Sequence, residues 1–153
     1  MAKEMQLEKS IIINQPAQSV FAYLKLTKNQ EYFSVWNMTD PNKATTTNGI
    51  DGTVGFVYSW DSKNKNVGAG SQKIVGISEG NKIEYEITFL RPMKNIGNSS
   101  FTIESINESQ SKVTWDFKCP TKFPMSLFKG MFQKMLGKDI TKSLENLKAK
   151  LEN

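Results

Sequence analysis

Residues 54–77 read VGFVYSWDSKNKNVGAGSQKIVGI, and this stretch decides the fold. Val54, Phe56, Tyr58 and Trp60 lie two apart, which is the period of a β-strand with one apolar face. The polar segment 61–66 predicts a hairpin loop, and residues 67–77 predict a partner strand that carries three glycines. Large rings on one strand beside glycines on the next indicate either a solid core or the wall of a hollow space.

Further strands follow from the same alternation on both sides of this hairpin. Residues 5–13 predict a first strand that ends in three isoleucines. Segments 83–90 and 112–119 alternate apolar with polar residues, and another strand begins at 101. Each of these segments therefore predicts an antiparallel strand with one dry face and one wet face.

Three helices are predicted in addition to the strands. Asn14-Gln15-Pro16 marks the start of a short helix, and Thr27-Lys28-Asn29-Gln30 fits a capping box for a second short helix that carries Tyr32, Phe33 and Trp36. Residues 125–151 place apolar side chains every three or four positions, which predicts one long amphipathic helix of roughly 40 Å. Gly130 and Gly137 lie inside it, where they either pack closely or weaken its first half.

The elements combine into one α+β domain over residues 1–153. Each strand offers one apolar face and the long helix offers one apolar stripe. The simplest arrangement is a curved antiparallel sheet of about seven strands around the long C-terminal helix, with two short helices after the first strand.

Composition excludes several classes of chemistry. The 153 residues include no histidine and one cysteine, Cys119, so Ser-His, Cys-His and cysteine-rich metal mechanisms are excluded, and we expect no metal and no cofactor. The chain has no phosphate-binding loop motif. The N-terminal residues show no signal peptide and no segment is apolar enough to span a bilayer, so a cytoplasmic location is expected.

The positive charge is concentrated near the C-terminus. Residues 118–153 hold eight lysines and three acids, which accounts for the whole net charge of +5. This pattern indicates either a solvated helix face or a contact with an anionic membrane or an acidic partner. Nucleic-acid binding is not expected, because the excess is modest and no aromatic–basic motif accompanies it.

The segments IIINQPAQSVFAYL (11–24), DGTVGFVYSWDSKNKNVGAGSQKIVGI (51–77), KVTWDF (112–117) and LFKGMFQKMLGKDITKSLENLKAKLE (127–152) resemble the START-like, or SRPBCC, superfamily. Within it they look most like the polyketide cyclase/dehydrase-like branch. The resemblance implies the Bet v 1-like helix-grip fold, with a hydrophobic cavity between the sheet and the C-terminal helix. Members bind lipids, sterols, polyketides or other apolar molecules, and some are cyclases or aromatases.

The candidate ligand-binding residues are those that the alternation and the helix periodicity turn inward. They are Trp36, Tyr58, Trp60, Gln72, Tyr85, Phe89, Arg91, Phe101, Trp115, Phe117, Phe128, Met131, Phe132 and Met135. For each ring the alternative is ordinary core packing. For Arg91 the alternatives are a ligand carboxylate and a surface acid. The buried tips of the tyrosines and tryptophans need water, backbone or a ligand as partner.

The sequence favours binding or transport of a small apolar molecule over catalysis. The alternatives are a polyketide cyclase/dehydrase-type enzyme and a co-chaperone-like or membrane-surface module. An enzyme of this type needs an acid or base inside the pocket. Glu84, Glu86 and Asp116 are predicted on the wet face, so no catalytic residue is assigned. Both a monomer and a homodimer remain open.

Overall fold

The computed structural model describes residues 3–65, 67–91, 94–121 and 129–153, without the side chains of Lys3, Lys129 and Phe132. In chain order the elements are β1 (Lys3–Ile13), α1 (Ala17–Leu24), a 3-10 helix (Thr27–Tyr32), α2 (Val35–Thr39), β2 (Ala44–Asn48), β3 (Val57–Asp61), β4 (Ala69–Ser78), β5 (Lys82–Arg91), β6 (Asn95–Asn107), β7 (Gln110–Thr121) and α3 (Lys129–Glu152).

The strands form one curved antiparallel sheet in the order β1-β7-β6-β5-β4-β3-β2. All neighbouring strands except β1 and β7 are also consecutive in the chain. The C-terminal helix α3 lies against β1. Edge strands β1 and β2 are therefore far apart across the sheet. The predicted α+β helix-grip fold is confirmed.

Three local expectations differ from the structure. Strand β2 was not predicted, because its five residues are all exposed and show no apolar alternation. Strand β3 begins at Val57, and Val54 is exposed rather than part of the apolar face. The second short helix is two pieces, the 3-10 helix and α2.

The predicted capping box at Thr27 is wrong. The side chain of Thr27 makes no capping bond. The backbone N–H groups of Thr27 and Lys28 instead donate to the carboxylate of Asp51, at 2.8 and 3.0 Å. A side chain 24 residues away thus satisfies the free donors at this helix start, which a local motif cannot reveal.

Helix α3 holds the short helices against the sheet. Its buried stripe contains Ile140, Leu144 and Leu147, each at most 1 % exposed. On the same side, the Ser143 hydroxyl accepts the Val35 N–H at 2.9 Å, and the Asn146 amide donates to the Phe33 carbonyl at 3.1 Å. These bonds fix the segment that carries Phe33 and Trp36.

Within the described residues, no helix combines the length and the apolar character that a membrane span requires.

Candidate functional site

The concave face of the sheet has two regions, and the first is filled by rings. Phe33 enters from the segment between the 3-10 helix and α2. Its ring lies 6.2 Å from Phe101 and 6.1 Å from Trp115 in edge-on contacts. The ring centroid of Phe101 also lies 4.6 Å from that of Trp115 and 6.1 Å from that of Tyr85. All four rings are at most 5 % exposed. This region is filled by rings, as the alternative of ordinary core packing predicts for Tyr85, Phe101 and Trp115.

The second region is a row of half-buried rings that we call the aromatic strip, defined as Trp60, Phe89 and Phe117. The rings come from β3, β5 and β7, and neighbouring centroids lie 6.4 and 6.2 Å apart. Unlike the filled region, the strip keeps part of its surface accessible. It is therefore a part of the described concave face where aromatic surface stays open to contact.

Glycines in the intervening strands leave room for these rings. Gly70 in β4 is paired with Trp60 on one side and Phe89 on the other. A Cβ on Gly70 would lie 2.9 Å from the Trp60 ring and closer still to the Thr88 carbonyl. A Cβ on Gly97 in β6 would lie 3.3 Å from the Phe117 ring. Rings and glycines thus alternate across five neighbouring strands.

Protein groups bind most of the polar tips of the candidate rings. The Trp60 indole N–H donates to the Val67 carbonyl at 3.1 Å, and that of Trp115 donates to the Ser99 hydroxyl at 2.9 Å. The Tyr58 hydroxyl donates to the Glu31 carboxylate. The polar groups of these rings therefore bind other protein groups and hold the rings in place. The strip presents a mainly apolar surface.

Glu31, Lys43 and Tyr58 form a polar cluster at the β3 side of the concave face. The Lys43 ammonium, whose side chain is 4 % exposed, donates to Glu31 at 2.8 Å and to the Asn37 carbonyl at 2.9 Å. Burial raises the pKa of Glu31, but the hydrogen bonds from Lys43 and Tyr58 outweigh it and lower the pKa overall. Burial and the Glu31 hydrogen bond raise the pKa of Tyr58. The carboxylate is thus ionised and the phenol protonated at neutral pH.

A second polar cluster lies deeper, around Tyr85. The Tyr85 hydroxyl, Thr27 Oγ1 and Gln30 Nε2 are buried and have no partner of good hydrogen-bond geometry among the described residues. Burial raises the pKa of Tyr85, and the nearby Thr27 and Gln30 partly offset this. Groups of this kind are usually satisfied by a buried water, for which three polar partners suffice.

The remaining predicted site residues have different outcomes. Trp36 is half-buried and contacts Trp115 at 6.4 Å, at the border of the filled region. Gln72 is buried and lies opposite Tyr58 in β4. Phe128 and the side chain of Phe132 lie outside the described residues. Arg91 is exposed and pairs with Asp61, so the surface-acid alternative is the correct one.

The inward placement of Met131 and Met135 is wrong. Their exposures are 64 % and 51 %. At about 100° per residue, both positions lie on the side of α3 opposite Ile140 and Leu147. The apolar stripe that the sequence indicated therefore belongs to the second half of α3, and the two methionines lie outside it.

Two surface grooves lie outside the filled region. One, of about 510 Å³, lies near the β5–β6 connection and is lined by Phe89, Leu90, Ile96 and Pro120 among others. The other, of about 430 Å³, lies between β1 and the outer flank of α3 and is lined by Lys9 and lysines of α3. Among the described residues, no group of three or more acidic or cysteine side chains could hold a metal ion.

Sequence reasoning missed the residues that reach the site from loops. Glu31, Lys43 and Asp51 lie in segments with no apolar period, and each acts through a partner distant in sequence. The sequence placed Phe33 on the second short helix. Its position at the centre of the ring cluster depends on how α3 holds that segment, which the sequence does not reveal.

A family model matches this chain almost from end to end. The family is described as polyketide cyclase / dehydrase and lipid transport, and the match covers residues 4–152. No curated protein matches the chain.

Solved structures share the fold at low sequence identity. DynU16, a protein of the dynemicin biosynthetic locus, is 13% identical with a TM-score of 0.68; the match covers 97% of this chain and 48% of DynU16. This chain therefore spans about half of that protein. Norcoclaurine synthase from Thalictrum flavum is 7% identical with a TM-score of 0.73, over 99% of this chain and 89% of the enzyme. A Bacillus thuringiensis protein is 10% identical with a TM-score of 0.69, over 97% and 99% of the two chains.

Proposed function

Because the chain belongs to the polyketide cyclase/dehydrase and lipid transport family, we propose that it binds a small apolar molecule, lipid-like or polyketide-like, on the aromatic strip. The observation that carries this proposal is the contrast within one sheet face. Four rings beside α3 are sealed, whereas Trp60, Phe89 and Phe117 keep accessible surface on the same face. Partly exposed aromatic surface in a concave setting is typical of ligand sites.

Binding on the strip would rest on apolar burial, with little directional polarity. The Trp60 indole N–H and the Arg91 guanidinium are already bound to Val67 and Asp61. A guest therefore meets ring faces and edges, which contribute roughly 25 cal/mol per Å² of apolar surface that they cover. Such a site selects for shape and apolar character more than for a particular functional group.

Native mass spectrometry of protein purified from its own host tests this proposal. We expect a co-purifying apolar molecule whose occupancy falls in Phe89→Leu, which keeps apolar volume but removes the ring. Val75→Ala is the matched control, because Val75 is exposed in β4 and lines neither the aromatic strip nor either groove. Thermal unfolding checks that both variants fold. Equal occupancy in the two variants, or an empty protein, would refute the assignment.

The second candidate is a cyclase/dehydrase-type enzyme, and the cluster of Glu31, Lys43 and Tyr58 is the observation that favours it. An ionised carboxylate beside a protonated phenol can accept and donate protons. In this chain Glu31 accepts hydrogen bonds from both Tyr58 and Lys43, which supports an anchoring role instead.

Incubation with the co-purifying molecule separates the two candidates. We expect wild type and Glu31→Gln to return that molecule unchanged by liquid chromatography and mass spectrometry. Conversion by the wild type but not by Glu31→Gln would establish catalysis and assign the proton acceptor.

A further inference from the structure

The outer side of α3 combines cations with exposed apolar side chains. Lys134, Lys138 and Lys142 follow one another at intervals of one helical turn and are exposed. Met131 and Met135, at 64 % and 51 % exposure, lie within the same arc of about 100° on the helix surface. We call these five residues the basic face. They point away from the sheet, opposite the buried stripe of Ile140 and Leu147.

A cleft beside the basic face adds a fourth lysine. Lys9 comes from edge strand β1, and its side chain crosses α3 at Gly137, where an added Cβ would lie 3.4 Å from Lys9 Cε. The cleft, of about 430 Å³, is lined by Lys9, Gln133, Lys134, Lys138, Thr141 and Lys142, with Glu145 as the acid. Several ammonium groups around a space of this size can surround one phosphate-bearing headgroup.

We infer that the basic face of α3 docks on an anionic phospholipid bilayer. Charge complementarity selects an anionic occupant, since four lysines meet one acid in the cleft. The methionines select a bilayer over an acidic protein. They project from the outer side of α3 beside the lysines, where their exposed side chains can enter a fluid interface. Lysine heads beside apolar side chains are typical of helices that lie on membrane surfaces.

This inference does not depend on the aromatic strip, which lies on the other side of α3. Each lysine near an anionic surface contributes roughly a fivefold gain in membrane affinity. Removal of three lysines should therefore weaken binding roughly 100-fold. The contribution falls off beyond about a Debye length, so raising the salt concentration should release the protein.

Vesicle co-sedimentation at low and physiological salt tests the docking. The vesicles are phosphatidylcholine alone, or phosphatidylcholine with phosphatidylglycerol. We expect salt-sensitive binding to the anionic vesicles only, with a roughly 100-fold loss in Lys134→Gln/Lys138→Gln/Lys142→Gln. The matched control is Lys63→Gln/Lys65→Gln/Lys73→Gln, which removes the same charge from exposed positions of the β3–β4 hairpin. Equal loss in both triple variants, or no binding to anionic vesicles, would overturn the inference.

A second pair of variants tests the apolar part. Met131→Ser/Met135→Ser should weaken vesicle binding without changing its salt dependence, because the charges remain. Leu90→Ser/Ile96→Ser is the control, since these residues are 53 % and 54 % exposed on the convex face of the sheet. Full binding by the methionine variant would overturn insertion of this face. All variants are first compared by circular dichroism and thermal unfolding, so that misfolded protein is not scored as unbound.

Discussion

Replacing Gly70 with alanine probes the packing on which the candidate site depends. Gly70 lies in β4 between Trp60 and Phe89, and its φ is not in the left-handed region, so alanine meets no backbone strain there. The new methyl group would instead meet neighbouring atoms. It would lie 2.9 Å from two carbons of the Trp60 ring and closer still to the Thr88 carbonyl oxygen.

The magnitude follows from how far these atoms must move. Carbon atoms in contact normally lie about 3.5–4.0 Å apart, so the ring must retreat by roughly 0.5–1 Å. The carbonyl belongs to the β4–β5 ladder and cannot retreat without disturbing it. Overpacking of this kind costs about 1–3 kcal/mol, against which alanine recovers about 0.5–1 kcal/mol of strand preference. We expect a net loss of about 1 kcal/mol in the free energy of unfolding, and at most about 2.5 kcal/mol.

Gly76→Ala is the matched control, because it makes the same change in the same strand where the nearest atom would be 3.5 Å away. It should be neutral or stabilising by up to about 1 kcal/mol. Denaturant unfolding followed by far-ultraviolet circular dichroism measures both variants without relying on Trp60 fluorescence. If Gly70→Ala is as stable as Gly76→Ala, the rings do not lie across the glycines as described. Adding Trp60→Phe to Gly70→Ala should restore only part of the loss, since the Thr88 carbonyl contact remains.

Three further predictions concern stability. Glu31→Gln should lower the free energy of unfolding by about 2 kcal/mol at neutral pH, because buried Lys43 loses its counter-charge. Since folding lowers the pKa of Glu31 from 4.5, the stability of the wild type should also fall as the pH drops below about 4.5. Denaturant unfolding over a pH series should show that the variant lacks this contribution of Glu31 to the pH dependence. Gly137→Ala should raise the free energy of unfolding by up to about 1 kcal/mol, because alanine is the better helix former and its Cβ would only reach ordinary contact with Lys9 Cε at 3.4 Å; a loss of stability in thermal unfolding would contradict this. Phe33→Ala should cost about 3–5 kcal/mol in denaturant unfolding, whereas Tyr32→Ala, at an exposed neighbour, should cost less than about 1 kcal/mol.

The fold was predictable because most of its strands are long segments in which apolar and polar residues alternate. Tyr85, Phe101 and Trp115 belong to strands whose alternation is nearly unbroken, and such strands fix which face is dry. The apolar stripe of α3 then has only that face to cover. Strand β2 was missed for the converse reason: it is an exposed edge strand, and its pairing with β3 is through backbone groups that any residue supplies.

The polar organisation of the site was not predictable in the same way. Asp51 binds Thr27, 24 residues away, and Glu31 binds Tyr58, 27 residues away, so their roles exist only once the short helices have been placed. The error at Met131 and Met135 has a geometric origin. Spacings of three and four residues both count as helical, but several of one kind in succession rotate the stripe around the axis. Sequence spacing alone therefore indicates an apolar stripe without fixing where it faces.

The concave face is divided into a filled ring region and the aromatic strip, which explains how one small sheet can be stable and still offer surface to a ligand. Phe33 closes the region beside α3, and the bonds from Ser143 and Asn146 hold its segment there. That sealed core supplies stability independently of any guest, so the strip of Trp60, Phe89 and Phe117 is free to keep accessible ring surface. If binding and stability were carried by the same rings, every substitution that weakened one would weaken the other. Here Phe33→Ala should mainly cost stability and Phe89→Leu should mainly cost binding, and finding the two effects inseparable would mean that the face is a single core.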